Sequence, residues 1–316
     1  MNNDEDIIKS RPLWAEAWHR LKLNRLGMLC LGIIAFYLAV GLLDFIPVWT
    51  KVDAGETAAT RGITLIDWTF LKLAGPTEKT ESYSHPGTRR HVLGTDIQGV
   101  DVLYKSVKGI RTAIILGGLT AAIYIPLGLL FGIIAGYFGG IVDDIVVYIY
   151  STLACIPGIL LLIALMSVMG RGLPQLCIAL GVTSWVGLCR LIRGETLKLR
   201  EADYVLAARA LGASRSRIIL RHILPNLFHI VIITFTLGFS GIVMSEAVLS
   251  YIGIGVKPTT MSWGTMISEA KMELSRDPSV WWQLGGAAGA LFLLVLVFNV
   301  FGDALRDALD PKLRNQ

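Results

Sequence analysis

Several uninterrupted apolar runs, each close to the roughly 20 residues a helix needs to cross a bilayer, set the terms for this chain. In hydrocarbon the backbone N–H and C=O groups must pair within their own segment, so such runs become helices. Of the 316 residues, 53% are apolar and 17% charged. An average soluble domain carries about 25% charged residues, and the mean hydropathy here is +0.60. The expected fold class is therefore an all-α polytopic membrane protein with one transmembrane domain. A net charge of +5 raises the question of nucleic acid. The cationic residues, however, sit in loops beside apolar spans, which is a signature of membrane orientation, so no nucleic-acid partner is expected.

Six spans are expected: Gly27–Val48, Thr112–Phe138, Ile145–Met169, Leu173–Leu191, Leu227–Tyr251 and Trp281–Phe301. Met1–Leu26 precedes them as a polar, basic amphipathic segment, with Trp14, Ala17, Trp18 and Leu21 on one helical stripe. The stripe suits either an interfacial helix or one packed on protein. Gly27 opens a run without an A-x-A cleavage pattern, so the first span is read as retained. Trp49–Arg111 is a long polar segment, Thr112–Leu305 a core of five spans interrupted by the loop Gly194–Asn226, and Arg306–Gln316 a tail. Once the long Trp49–Arg111 segment is set aside, Lys and Arg favour the N-terminus, the Gly194–Asn226 loop and the tail. Long segments are largely exempt from the positive-inside rule, so both termini and that loop are expected to be cytoplasmic.

Inside the spans, Gly128, Gly132 and Gly136 recur at four-residue intervals, the small-xxx-small spacing that lets helix backbones approach closely. That face is expected to pack within the chain or on a second membrane subunit. Pro126 and Pro157 can each kink a helix and line a pathway, or be a tolerated bend. Glu246 stands roughly 28 Å along the fifth span at 1.5 Å per residue, near the outer edge of a ~30 Å core. An interfacial carboxylate, or one paired locally to brace an outer gate, fits that depth better than a proton carrier. Cys30, Cys155, Cys177 and Cys189 lie in or beside apolar spans without CxxC or His-rich spacing, and read as small buried hydrophobes rather than metal ligands.

Between the fourth and fifth spans lies a polar, helix-prone island running from Arg200 through Glu201, Tyr204, Ala207, Ala208 and Leu211 to Gly212. Gly212 suits a left-handed helix cap. Ser214 suits the N-cap of a second helix, and Pro225 its end. The expected product is a helix-turn-helix elbow outside the bilayer, joined rigidly to the next span.

The spacing Ala207-Ala208, Gly212, Leu224-Pro225 resembles the coupling motif of ABC-importer permeases, in which Glu-Ala-Ala is followed by Gly, Ile and Leu-Pro. Leu206 stands where that motif has Glu, and His222 where it has Ile. Tyr204 to Asn226 is more specifically similar to the dipeptide, oligopeptide and nickel permease family. Three further stretches agree in order. Leu93 to Leu103 is similar to a Gly-Thr-Asp…Gly-Arg-Asp signature, with Val100 for Arg. Ser250 to Pro258 with Ser262-Trp263-Gly264 looks like the outer loop, and Phe298 to Pro311 like the terminal signature. In the first of these, Gly94 and Gly99 permit tight turns and Asp96 and Asp101 can lock them by accepting backbone hydrogen bonds, a structural plug rather than catalytic carboxylates. Asp303, Arg306, Asp307 and Asp310 are spaced to pair along a helix. The preceding Thr50–Arg90 insert is either a small element touching an outer partner or a decoration.

The resemblance implies the type I transmembrane domain of an ABC importer, with six transmembrane helices, in a bacterial inner membrane. It implies a second homologous permease, two cytoplasmic ABC ATPases and a periplasmic or lipid-anchored substrate-binding protein. Glu201, Tyr204, Ala207, Ala208, Leu211, Gly212 and Ser214 would then form the ATPase-coupling surface. Glu246, Pro126 and Pro157 are the outer gate and pathway candidates. The chain shows no GxxxxGK[ST] loop, GxSxG or HExxH, so no catalytic residue, metal site or bound cofactor is assigned to it. ATP and Mg would belong to the partner ATPases. Peptide is the expected cargo. Nickel would call for His, Met or carboxylate ligands along the pathway, and the histidines at 19, 85, 91, 222 and 229 lie outside or near span ends.

Overall fold

The computed structural model describes residues 13–49, 62–74, 84–87, 91–277 and 279–309. In chain order the helices are α1 (Leu13–Leu23), α2 (Arg25–Leu43), α3 (Leu65–Ala74), α4 (Val102–Phe138), α5 (Gly140–Ala154), α6 (Gly158–Met169), α7 (Leu173–Arg200), α8 (Asp203–Ala210), α9 (Arg215–Ile218), α10 (Leu224–Ile252), α11 (Trp263–Glu273) and α12 (Trp282–Leu309). Two short strands, β1 (Pro47–Trp49) and β2 (Gly62–Thr64), pair antiparallel between α2 and α3. Much of the Thr50–Arg90 insert, the start of the N-terminal segment and the tail from Asp310 lie outside the described residues.

Among the described residues five helices are long and apolar enough to span a membrane, and α5 and α6 reach that length only together, as a pair bent by 85°. The expected third span, Ile145–Met169, is thus two helices, and the bend at Pro157 is larger than a tolerated one. Pro157 has no N–H to continue α5, and the residue before a proline is pushed out of the helical region, so the chain breaks at Cys155–Pro157. The Pro157 carbonyl then accepts from Leu160 and Leu161 N–H at 2.9 and 3.1 Å and starts α6 afresh. Cys155, in this break, is exposed, whereas Cys30, Cys177 and Cys189 are buried as expected. Pro126 leaves α4 unbroken and sits on its exposed face.

The glycine stripe packs within the chain, against α7. A Cβ on Gly128 would meet the Leu188 side chain at 2.9 Å, one on Gly132 the Ile192 Cβ at 2.8 Å and the Cys189 carbonyl at 2.9 Å, and one on Gly136 the Thr196 Cβ at 2.7 Å. Lipid tails are as apolar as leucine, so close backbone approach rather than water exclusion holds this pair together. Near the end of α4 and the start of α5 the helices are tied by charge. Arg193 of α7 grips Asp143 of α5 through Nε at 2.5 Å and Nη2 at 2.6 Å. Arg200 caps the end of α4 through the Gly136 carbonyl at 3.3 Å.

The α1 helix lies along protein. Leu21 is buried against Ala304 and Ala308 of α12, while Trp18 faces outward. The expected ladder on α12 does not form: Arg306 makes no ion pair with Asp303 or Asp307, and Asp310 lies outside the described residues. All three side chains are exposed, where a solvated pair gains little.

Replacing Gly132 with Ala should cost about 1–3 kcal/mol by overpacking against backbone, whereas Gly118→Ala, with nothing within 4 Å, should not destabilise. Thermal unfolding of the two variants in detergent checks this. Equal melting temperatures would show that the α4–α7 approach is not tight.

Candidate functional site

Two polar regions stand at opposite ends of the helix bundle. One is the island between α7 and α10. Its first helix, α8, begins after the N-cap residue Ala202 and is anchored by Val205, which is fully buried. The outward face carries Tyr204, Ala207 and Leu211, with Ala208 half-buried beside them. Leu211 is 88% exposed, an unusual position for a leucine outside the membrane. Gly212 adopts φ +79°. Its N–H bonds the Arg209 carbonyl and the Ala213 N–H the Ala208 carbonyl, both at 3.0 Å, the paired Schellman closure. Ser214 then caps α9, accepting from Arg217 N–H at 3.4 Å. Glu201 stands outside this face, at the end of α7, where it accepts from Arg200 Nε at 2.9 Å.

Pro225 does not end the second helix. Ile219–Ile223 forms a single π turn, closed by Leu224 N–H to the Ile219 carbonyl, and α10 follows directly. Residues Arg215–Ile252 therefore run as one helix. Proline supplies no N–H and crowds the carbonyl four residues back, and the wider turn absorbs that conflict. Asn226, which the sequence did not mark, braces the joint by donating to the His222 carbonyl at 2.6 Å and to the Tyr204 hydroxyl at 3.2 Å. Burial pushes the Tyr204 phenol up, opposed by that hydrogen bond. No spacing rule announces a bond between residues 22 apart, so only the fold reveals it.

The other region closes the opposite end. Gly94 and Gly99 adopt φ +75° and +76°. Asp96 accepts from Gln98 and Val100 N–H, each at 2.8 Å, and Asp101 caps α4 through Tyr104 N–H at 3.1 Å. Both locked turns are as the sequence implied. Unforeseen is Lys105, buried on α4, which ion-pairs with Asp96 and reaches Glu269 of α11 at 3.1 Å. Gln283 of α12 joins the same Glu269 oxygen at 3.2 Å, and Asp101 pairs with His91 at 2.8 Å. Beside them, Lys108 binds Asp44 at 2.7 Å and Asp67 at 2.6 Å, fastening α3 to the ends of α2 and α4. The hydrogen bonds from Lys108 and Tyr104 hold the Asp67 carboxyl below the usual range, although burial alone would raise it.

Glu246, 3% exposed, belongs to this closure. It accepts from the Ser250 hydroxyl at 2.7 Å and the Ser262 hydroxyl at 2.8 Å, and from the Gly264 N–H. It is paired locally, as one of the expected readings had it, and enclosed by protein. The Ser262-Trp263-Gly264 triplet explains itself here. Ser262 caps α11 in a capping box. Trp263 donates to the Ser106 carbonyl at 2.9 Å. A Cβ on Gly264 would strike Ala247 Cα at 2.7 Å.

The family described as binding-protein-dependent transport system inner membrane component matches residues 128–315. The chain belongs to that family. The N-terminal transmembrane domain of oligopeptide transport permease C matches residues 12–56. The oligopeptide transport system permease protein OppC of Bacillus subtilis is 35% identical over 97% of this chain and 92% of its own length. The dipeptide transport system permease protein DppC of the same organism is 33% identical over 99% and 91%. The OppC of Haemophilus influenzae is 33% identical over 98% and 92%. This permease is accordingly a multi-pass inner-membrane protein with the type I ABC-importer transmembrane fold, and a transport component rather than an enzyme.

Because Lys105 is enclosed, removing it leaves Asp96 buried against a lost charge, at a cost of roughly 3–5 kcal/mol. Lys105→Met should therefore loosen this end of the bundle, read as faster hydrogen exchange in residues 94–104 while the α4–α7 glycine stripe stays protected. Unchanged exchange there would show that the ion pair does not hold the turn.

Proposed function

We propose that this chain is one of two different permeases of an ATP-driven importer for di- or oligopeptides, the C-type member of the pair. It forms half of the pathway and receives force at α8. The observation that carries this is mechanical. An exposed stripe of Tyr204, Ala207 and Leu211 is fixed to the bundle by Val205 and continues, through the Gly212 turn, into one helix from Arg215 to Ile252. Small side chains at Ala207 and Ala208 allow a docked helix to approach a socket closely. A push on α8 therefore moves a transmembrane helix instead of being lost in a flexible loop. Two cytoplasmic ABC ATPases, holding ATP and Mg, supply the push. A periplasmic or lipid-anchored binding protein delivers cargo at the opposite end, where Glu246 and the Asp96–Lys105 turn brace the outer gate. Both termini lie in the cytoplasm, and the apolar flanks face membrane lipid. Peptide cargo rests on the relatives, which are oligopeptide and dipeptide transport permeases by name.

Purification of the tagged chain from its native membrane in mild detergent should recover a second permease and P-loop ATPases. Recovery of this chain alone under several gentle conditions would overturn the importer reading. Gly212→Pro cannot adopt φ +79°, and Ala207→Glu places a charge on the docking stripe. Each should abolish ATP-driven uptake while membrane insertion stays intact. Normal uptake by both would remove α8 from the coupling role.

A further inference from the structure

Among the described residues, a cleft of about 950 Å³ opens between the cytoplasmic halves of α7, α10 and α12. That volume lies in the range of small-molecule sites, ~300–1,000 Å³. Its lining includes the apolar side chains of Leu191, Ile230, Ile233 and Leu237 and the hydroxyl of Thr234. Its rim is charged with both signs. Glu195 and Lys198 come from α7, where they pair at 2.6 Å while remaining open to solvent. Arg306 comes from α12 and His229 from α10, and neither makes an ion pair or side-chain hydrogen bond among the described residues. From His229 to Gly238 the wall of α10 descends roughly 13 Å, at 1.5 Å per residue.

Resting on the reading of this chain as a peptide-importer permease, we infer that this cleft is the cytoplasmic exit site for the peptide, with Arg306 facing its α-carboxylate and Glu195 its α-ammonium. The two-signed rim suits a zwitterion. A lipid phosphate would meet the Glu195 carboxylate, and a purely apolar helix would strand Arg306 and His229. An extended dipeptide spans about 7 Å, so it fits within the depth with its side chains on the apolar lining. The wall made by α10 is the same continuous helix that carries the island, so movement of α8 reshapes the cleft directly. Release is thereby tied to the stroke.

The test uses the whole importer in inside-out membrane vesicles, with Cys155→Ser to remove the exposed cysteine and Thr234→Cys to report on the cleft. A membrane-impermeant methanethiosulfonate should label the introduced thiol. Dialanine should slow labelling several-fold, N-acetyl-dialanine amide should not, and Arg306→Gln should erase the protection. Absence of labelling means that lipid or protein fills the cleft and overturns the inference. So does labelling that dialanine leaves unchanged, or that the capped analogue slows equally. ATP-driven dipeptide uptake by the unaltered complex is measured in parallel. If uptake fails while protection by dialanine holds, the import reading falls and the peptide site stands. If uptake proceeds without protection, the exit site falls and the import reading stands.

Discussion

The bundle depends on the close approach of α4 and α7. Nothing in a bilayer drives apolar helices together as water does, so the pair must gain its energy from dispersion at short range. Glycine at 128, 132 and 136 brings the α4 backbone onto Leu188, Ile192 and Thr196, and Gly181 of α7 returns the favour by accepting Ile123. The Gly136 end of the contact is pinned by Arg200 on the α4 carbonyls and by the two-pronged Arg193–Asp143 pair, which also fixes α5. Because α7 leads straight into the island, that rigid pair is the abutment against which α8 is held.

The opposite end of the bundle solves a different problem with different means. Several charges there are enclosed by protein, and each has a partner on another element: Asp96 with Lys105, Lys105 with Glu269, and Asp44 and Asp67 with Lys108. Buried ion pairs are a poor source of net stability but a demanding specification of geometry, since any slippage leaves a desolvated charge alone. The arrangement therefore fixes where α2, α3, α4 and α11 meet. Glu246, held by two serine hydroxyls and a backbone N–H, extends the same logic to α10. One end of α10 is thus clamped to polar partners while the other is continuous with the island.

The parts of this design that repeat at short intervals were readable from sequence. The Gly212 cap, the Ser214 N-cap and the turns at Gly94 and Gly99 all depend on neighbours within a few residues, and local rules describe such contacts well. The glycine stripe shows its repeat in the sequence, but its partner on α7 comes only with the fold. What remained hidden depends on residues far apart in the chain. Lys105 and Glu269 are separated by 164 positions and Trp263 and Ser106 by 157, and nothing local to either member names the other. The supposed ladder at Asp303, Arg306 and Asp307 failed for the opposite reason: its spacing is right, but exposed side chains gain too little from pairing to be held in one geometry.

Two prolines show how context decides what spacing cannot. Pro157 and Pro225 both interrupt apolar, helix-forming sequence, and the expectation was a kink or a tolerated bend at the first and a helix end at the second. The outcomes are reversed in severity. At Pro157 the following residue is glycine and the preceding segment ends in an exposed turn, so no packing resists a break, and the chain bends by 85°. At Pro225 the flanking Ile218, Ile223 and Leu227 are each buried in the main core, and Asn226 ties the turn to Tyr204. Breaking the helix there would expose three core side chains, whereas widening one turn into a π turn costs a single hydrogen-bond register. The packed neighbours make the second solution the cheaper one. A proline that would otherwise end the helix is thereby accommodated inside the single run from Arg215 to Ile252.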